Sequence, residues 1–232
     1  MKIAVMQPYL FPYIGYWQLL ANVDRFVVFD DAAFIPRGWI HRNRIVVNGA
    51  PYRFTLPVAN GSQNRLICDI VRADNASWRD GFTKTLRQSY AGAENFNEAF
   101  LLVTKALENP ERNLAKLLVF SLASVCEYLG IHTEIIVASG RYGNRELRGQ
   151  TRILDICERE GARSYLNLPG GEALYERASF EKKGIELKFL RPSSPTYSQR
   201  AAEFFPWLSI IDVMMHCGAE KIRAALGDFS LR

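Results

Sequence analysis

Lys2-Ile3-Ala4-Val5-Met6-Gln7-Pro8-Tyr9-Leu10-Phe11-Pro12-Tyr13-Ile14-Gly15-Tyr16 opens the chain, and its reading decides the fold. A short apolar run, Lys2 to Met6, reads as a buried strand, and the two prolines of Gln7 to Pro12 force a loop. From Gly15 onward Tyr16, Leu19, Leu20 and Val23 recur at helical spacing. Phe26 to Phe29 then reads as a second strand ending in Asp30-Asp31. Strand, loop, helix and strand in so few residues is the start of a βαβ unit, which implies a parallel sheet covered by helices.

Downstream the texture changes. Arg44 to Val47 and Pro51 to Leu56 are extended runs around Asn48-Gly49, a hairpin signal because both turn residues tolerate positive φ. Leu66 to Val71 is a candidate third strand of that hairpin. Helices are expected at Ser77 to Tyr90 with Ser77 as cap, at Asn97 to Leu107, and at Asn113 to Leu129 with Gly130 as the stop. Glu134 to Ala138 (strand), Gln150 to Glu160 (helix), Ser164 to Asn167 (strand), Glu172 to Glu181 (helix) and Ile185 to Leu190 (strand) follow. Leu208 to Cys217 and Ala219 to Leu226 close the chain as helices. The expectation is one α/β domain spanning 1–232: a parallel Rossmann-like sheet, an antiparallel hairpin insertion near 35–71, and a helical middle near 77–129 and C-terminus.

Composition bounds the function. With 232 residues, 48% of them hydrophobic, the chain can bury a sizeable core. A net charge of +5 favours an anionic small-molecule ligand without choosing one, and nucleic acid is not the favoured partner. The four cysteines are scattered with no C-x-x-C pair, which argues against a thiolate metal site and a disulfide framework. The apolar N-terminus fails as a signal peptide, since Pro8 and Pro12 break its helix, and no stretch is long enough for a membrane span. The expected location is therefore the cytoplasm. No cofactor and no metal site can be read, and oligomeric state is not encoded legibly.

Three clusters carry candidate chemistry. In an open parallel sheet, ligands sit beyond the carboxyl ends of strands, so Gln7, Tyr9, Tyr13, Gly15 and Tyr16 are candidates for substrate binding. The same aromatics could instead pack the loop onto the sheet, which is the favoured role for Phe11. Asp30 and Asp31 are the candidate catalytic carboxylates, to orient or deprotonate an attacking group. Arg37, Trp39, Arg42, Asn43 and Arg44 form the densest polar cluster, with arginines suited to phosphate and a tryptophan suited to stacking. Tyr165 and Asn167 precede a Pro169-Gly170-Gly171 turn and complete the binding set.

Tyr13-Ile14-Gly15-Tyr16 resembles the H-x-G-H signature of nucleotidylyltransferases, with tyrosines at both histidine positions. A neutral phenol is a weaker stabiliser of phosphate charge, so that resemblance implies a nucleotidylyltransferase-like N-terminal βαβ more than the reaction. Four segments together resemble the WbqC-like family: Met6 to Tyr16; Phe29-Asp30-Asp31 with Arg37 to Ile45; Tyr165 to Gly171; and Pro195 to Gln199 with Phe205 to Asp212. His41 and His216 stand where that family commonly has asparagine, which lowers both as catalytic candidates. The resemblance implies surface-polysaccharide biosynthesis and transfer of an acyl or aminoacyl group to a nucleotide-linked amino sugar. Nucleotidylyl transfer and a non-enzymatic anion- or nucleic-acid-binding module are the alternatives.

Overall fold

A computed structural model describes residues 1–232. The N-terminal βαβ forms as read, with β1 at Lys2–Met6, α1 at Ile14–Ala21 and β2 at Arg25–Val28. The hairpin β3 (Arg42–Val47) and β4 (Ala50–Thr55) turns on Asn48 and Gly49, both at positive φ (51° and 75°), so this pair of residues fixes the register. Leu66 to Val71 does not join that hairpin. Ile67 and Ile70 are both fully buried, and this three-residue spacing closes a 3-10 turn at Ile67–Asp69 instead of an extended run. The remainder of the segment, β6 (Val71–Arg72), pairs with β5 (Val58–Ala59) in a separate small sheet.

Three helices follow: α2 (Ala76–Tyr90), α3 (Phe96–Glu108) and α4 (Leu114–Leu129). The cap of α2 is Asn75, whose side chain accepts from the Trp78 amide, not Ser77. Gly130 ends α4 in the left-handed conformation at φ 64°. Then come β7 (Glu134–Ile136), α5 (Gly149–Arg159), β8 (Ser164–Asn167), α6 (Arg177–Glu181), β9 (Glu186–Pro192), α7 (Ile210–His216), α8 (Ala219–Ala225) and an unforeseen edge strand, β10 (Phe229–Leu231). The helix expected over 172–181 divides into a 3-10 turn at Pro169–Leu174 and the short α6.

The central sheet has six strands in the order β10-β9-β8-β1-β2-β7, parallel except for β10 against β9. Its two faces are unequally covered. Ala4, Phe26, Val28, Leu166 and Leu190 point into a core of 44 buried residues, while Ile3, Val5, Val27, Tyr165, Leu187 and Phe189 face one of 14. Burial on both faces explains why these strands are near-continuous apolar runs. Starting from β1, the chain builds outward through β2 and β7, then returns to place β8, β9 and β10 on the other side. The direction of winding therefore reverses between β1 and β8, where open parallel sheets leave a crevice at their carboxyl ends. No helix is long and apolar enough to cross a membrane.

Candidate functional site

The loop after β1 is held rigidly from three sides. The buried Asn43 side chain donates to the carbonyls of Phe11 (2.7 Å) and Leu10 (3.2 Å), and Ser209 Oγ donates to the same Phe11 carbonyl at 2.7 Å. Trp17 Nε1 donates to the Pro12 carbonyl at 2.9 Å, and the Ile210 amide donates to it at 3.1 Å. Phe11 sits at φ 44°, a conformation costly for a bulky residue, and these bonds hold it there. A loop bound from both the hairpin and the start of α7 cannot relax alone.

Above that floor lies a cavity of about 390 Å³, lined by Tyr9, Pro12, Tyr13, Trp39, Asn43, Arg44, Pro169, Gly170, Pro192 and Trp207. Its residues come from the carboxyl ends of β1, β8 and β9, from the hairpin, and from the segment before α7. The cavity therefore sits where the strand order reverses, and it draws on all four segments singled out in the sequence. Tyr13 meets Trp207 edge to face at 5.8 Å, and Trp207 is itself strained at φ 61° and 40% exposed. Such an exposed, strained aromatic is the kind of feature that clusters at ligand sites. A larger cavity of about 740 Å³ lies between α7, α8 and residues 195–200, and takes none of the candidate binding residues.

Five of the sequence-derived binding residues thus share one cavity: Tyr9, Tyr13, Trp39, Asn43 and Arg44. The others support it from outside. Gly15 admits a close approach, since a Cβ there would lie 2.5 Å from the Tyr13 ring and 2.7 Å from Pro192 Cβ. Tyr16 is fully buried and donates to the Gln7 carbonyl at 3.0 Å, with Tyr9 packed against it at 5.7 Å between ring centres. Tyr165 and Asn167 are buried below the Pro169–Leu174 turn. Asn167 donates to the Tyr165 hydroxyl at 3.0 Å and accepts from the Leu168 amide at 2.7 Å. Arg37 and Arg42 lie outside the cavity beside Trp39 and Arg44 on the hairpin side.

Electrostatically the cavity is an aromatic chamber with one cation. The Nε of Arg44 is buried and has no hydrogen-bond partner, and its guanidinium lies 5.7 Å from the centre of the Trp39 ring. No carboxylate or histidine lines the walls. Burial, with Tyr9 adding to it, pushes the Tyr13 phenol up to about 12, so it is a hydrogen-bond donor at neutral pH. Burial, then the charge of Arg42, lowers His41 to about 4, which keeps that imidazole neutral.

Asp30 and Asp31 stand past β2, on the same edge of the sheet but outside the cavity lining. Ser139, just past β7, donates its amide to Asp30 Oδ1 at 2.8 Å and its hydroxyl to the same atom at 3.0 Å. Asp31 Oδ2 accepts from Arg152 at 2.6 Å and from Arg145 at 2.9 Å, and Oδ1 meets the Ser139 hydroxyl. Burial alone would raise Asp31, but the hydrogen bonds from Arg152, Ser139 and Arg145 outweigh it and hold its pKa below the ordinary carboxylate value. Arg152 is fixed in turn by Asn144 at 2.9 Å, itself bound to Asp155 at 2.6 Å. No group of three or more His, Cys, Asp or Glu side chains is placed to hold a metal ion.

Sequence reading did not single out Pro192, or Trp207 as a wall of the cavity. Pro192 closes β9 and carries no chemical signal of its own. Trp207 lies in a segment quoted for its resemblance, but its left-handed backbone has no mark in the residue type.

A parallel-dominated α/β sheet carries this aromatic, singly cationic cavity at the reversal of its winding. The chain belongs to the WbqC-like protein family, whose model matches residues 7–224. It is similar to the uncharacterized protein Rv1507c of Mycobacterium tuberculosis, 29% identical over 223 residues that cover 94% of this chain and 95% of that one.

Proposed function

We propose that this chain transfers an acyl or aminoacyl group to an amino sugar carried on a nucleotide, as a step in surface-polysaccharide biosynthesis in the cytoplasm. The observation that carries the binding half is the convergence of Tyr9, Tyr13, Trp39, Asn43 and Arg44 on one cavity at the reversal of the strand order. That order, with β1 and β8 at its centre, also supports the Rossmann-like reading of the sheet. Aromatic walls take the flat faces of a sugar or base, while Arg44 offers an unpartnered N–H to an anion. The WbqC-like membership supports the polysaccharide context.

In this reading the cavity binds and orients; the amine nitrogen attacks the donor's acyl carbon, the bond from that carbon to the donor's carrier breaks as the amide forms, and the amine proton leaves with the released carrier. Tyr13, a donor at neutral pH, faces the charge that develops on the acyl oxygen. Asp31, with both oxygens engaged by Ser139, Arg145 and Arg152, and Asp30, held through Oδ1 by Ser139, tie the neighbouring strand ends together in this reading. Purified protein incubated with nucleotide-linked amino sugars and activated acyl or aminoacyl donors should yield an N-acylated sugar by mass spectrometry. Absence of condensation with every donor class would sink the reading. Nucleotidylyl transfer shares the fold expectation but needs charge-stabilising groups at positions 13 and 16, and the Tyr16 hydroxyl is committed to the Gln7 carbonyl.

A further inference from the structure

We propose that Arg37, Arg42, Arg44 and Arg53 form a diphosphate-binding platform on the β3–β4 hairpin at the mouth of the cavity, with Arg53 as a member that no motif marks. Strand pairing sets the platform. Arg44 is directly opposite Arg53, and Arg42 is directly opposite Thr55, two residues further along β4. Arg42, Arg44 and Arg53 therefore share one face of the hairpin, because side chains alternate along each strand. Opposed residues have Cβ atoms about 5 Å apart, and Arg42 and Arg44 are separated by about 7 Å along the strand.

Like charges placed directly opposite each other destabilise a sheet, so folding alone gives no reason for Arg44 to face Arg53. A structural role would be expected to bring a carboxylate between them, and none is there. Twelve ion pairs tie cations to Asp or Glu elsewhere in the molecule, and none involves any of these four arginines. The mutual repulsion is felt: burial, then Arg53 and Arg37, lower the affinity of Arg42 for its proton. Trp39 stiffens the group, with the guanidiniums of Arg42 and Arg44 at 6.0 and 5.7 Å from its ring centre. Arg42 Nε is further anchored on the Gly38 carbonyl at 2.5 Å. Four clustered cations, two of them packed on Trp39 and none with an anion of its own, are a receptor for more than one negative charge.

Continuity with the cavity selects the class of ligand. Arg44 and Trp39 belong to both, so a ligand whose ring enters the cavity presents its next group to the hairpin. A diphosphate linking two ring systems fits both parts. A single phosphate or carboxylate would satisfy Arg44 and leave Arg37, Arg42 and Arg53 repelling one another. The inference rests on the proposed function only in taking this cavity as the ligand site; it does not depend on the transfer step.

Calorimetric titration of the whole chain with inorganic pyrophosphate and, separately, with inorganic phosphate tests it at low ionic strength. Pyrophosphate should bind at least about tenfold more tightly than phosphate, since each further charge-assisted hydrogen bond is worth a factor of that order. Arg53→Gln should remove about that factor for pyrophosphate while changing phosphate binding little. The same variant should melt slightly higher than the parent, because a repulsion is relieved; a purely structural Arg53 would melt lower. Lys182→Gln, in the turn preceding β9 at the opposite end of the sheet, is the control and should alter neither. Equal affinity for the two anions, or an Arg53→Gln variant that binds pyrophosphate normally, overturns the proposal. So does Arg53-dependent binding of duplex DNA or of phosphatidylglycerol vesicles without pyrophosphate binding, which would make the platform a polyanion surface. If pyrophosphate binds as expected and no acyl transfer is found, the platform stands and the transfer reading falls.

Discussion

Two polar regions stand side by side on the carboxyl edge of the same sheet and are built on opposite principles. At the ends of β2 and β7, the Asp30–Asp31–Ser139–Arg152 network engages both oxygens of Asp31 and Oδ1 of Asp30, and Arg152 is fixed by Asn144. At the ends of β1, β8 and β9, the cavity is open, with an orphaned Arg44 Nε, two residues at positive φ, and tryptophans left partly bare. Both contain arginines, and both held candidate residues as sequence. A satisfied network contributes to stability and has little capacity left for a ligand; an unsatisfied one costs stability and keeps that capacity. On the proposed reading, folding falls to one region and binding to the other, and experiment can break that contrast.

The largest effect is expected at Asp31. Replacing it by Asn keeps the shape but removes the charge facing Arg152, whose side chain is only 6% exposed. Breaking a buried pair from one side costs about 3–5 kcal/mol, because the remaining charge is left uncompensated. Urea denaturation of Asp31→Asn should show that loss, while ligand affinity in the folded fraction stays near the parent value. A variant of normal stability but abolished activity would reverse the assignment and return Asp31 to the reaction. The pH dependence follows from the same group. Its folded pKa is depressed, so its stabilisation is present above the unfolded value near 4 and is lost as pH falls through the folded one.

His41, buried just before β3, gives the next effect. It is 5% exposed, packs on Phe34 at 5.1 Å between ring centres, and has a buried Nδ1 without a partner. Unfolded, it takes a proton near pH 6.5; folded, it resists until about pH 4. Between those values the unfolded state binds more protons, so stability falls as the pH is lowered. The shift corresponds to a loss on the order of 3 kcal/mol across that window. His41→Asn should flatten the stability curve between pH 6.5 and 4. An unchanged slope would mean that His41 is already solvated or charged in the folded chain.

The sequence made the frame of this molecule legible because its signals are local. Lys2 to Met6, the Asn48-Gly49 turn and Gly130 each state their structure through short-range sterics, and each lies where it was expected. Leu66 to Val71 misled because a mainly apolar run is consistent with a strand, and only the burial of Ile67 and Ile70 on one side decides for a turn. At the site, residue type identified Tyr9, Tyr13, Trp39, Asn43 and Arg44, since those side chains advertise stacking and anion binding. It was silent on Arg53, whose importance comes from strand register. It was also silent on how Asp31 is occupied, because Arg145 and Arg152 lie more than a hundred residues away in the chain. Partners brought together by sheet topology leave no mark at either end.

The smallest expected effect gives the sharpest view of the open region. Trp207 holds φ at 61° with its ring against Tyr13, and left-handed backbone at a bulky residue costs about 1–3 kcal/mol. Glycine adopts that conformation freely, so Trp207→Gly removes the strain, along with an aromatic pairing worth about 1 kcal/mol. At 40% exposure more than half of the residue is still buried, so about 3 kcal/mol of apolar burial is lost with it. The relieved strain offsets only part of these losses, about 2 kcal/mol remains, and the melting temperature should fall by several degrees. Ligand affinity should nevertheless fall about tenfold, because one wall of the cavity is gone. Were the tryptophan present only for packing, melting temperature would drop and affinity would not. Loss of affinity together with a stability change smaller than the burial alone would give is what an open, strained site predicts, and the Asp31 network should lose stability without losing affinity.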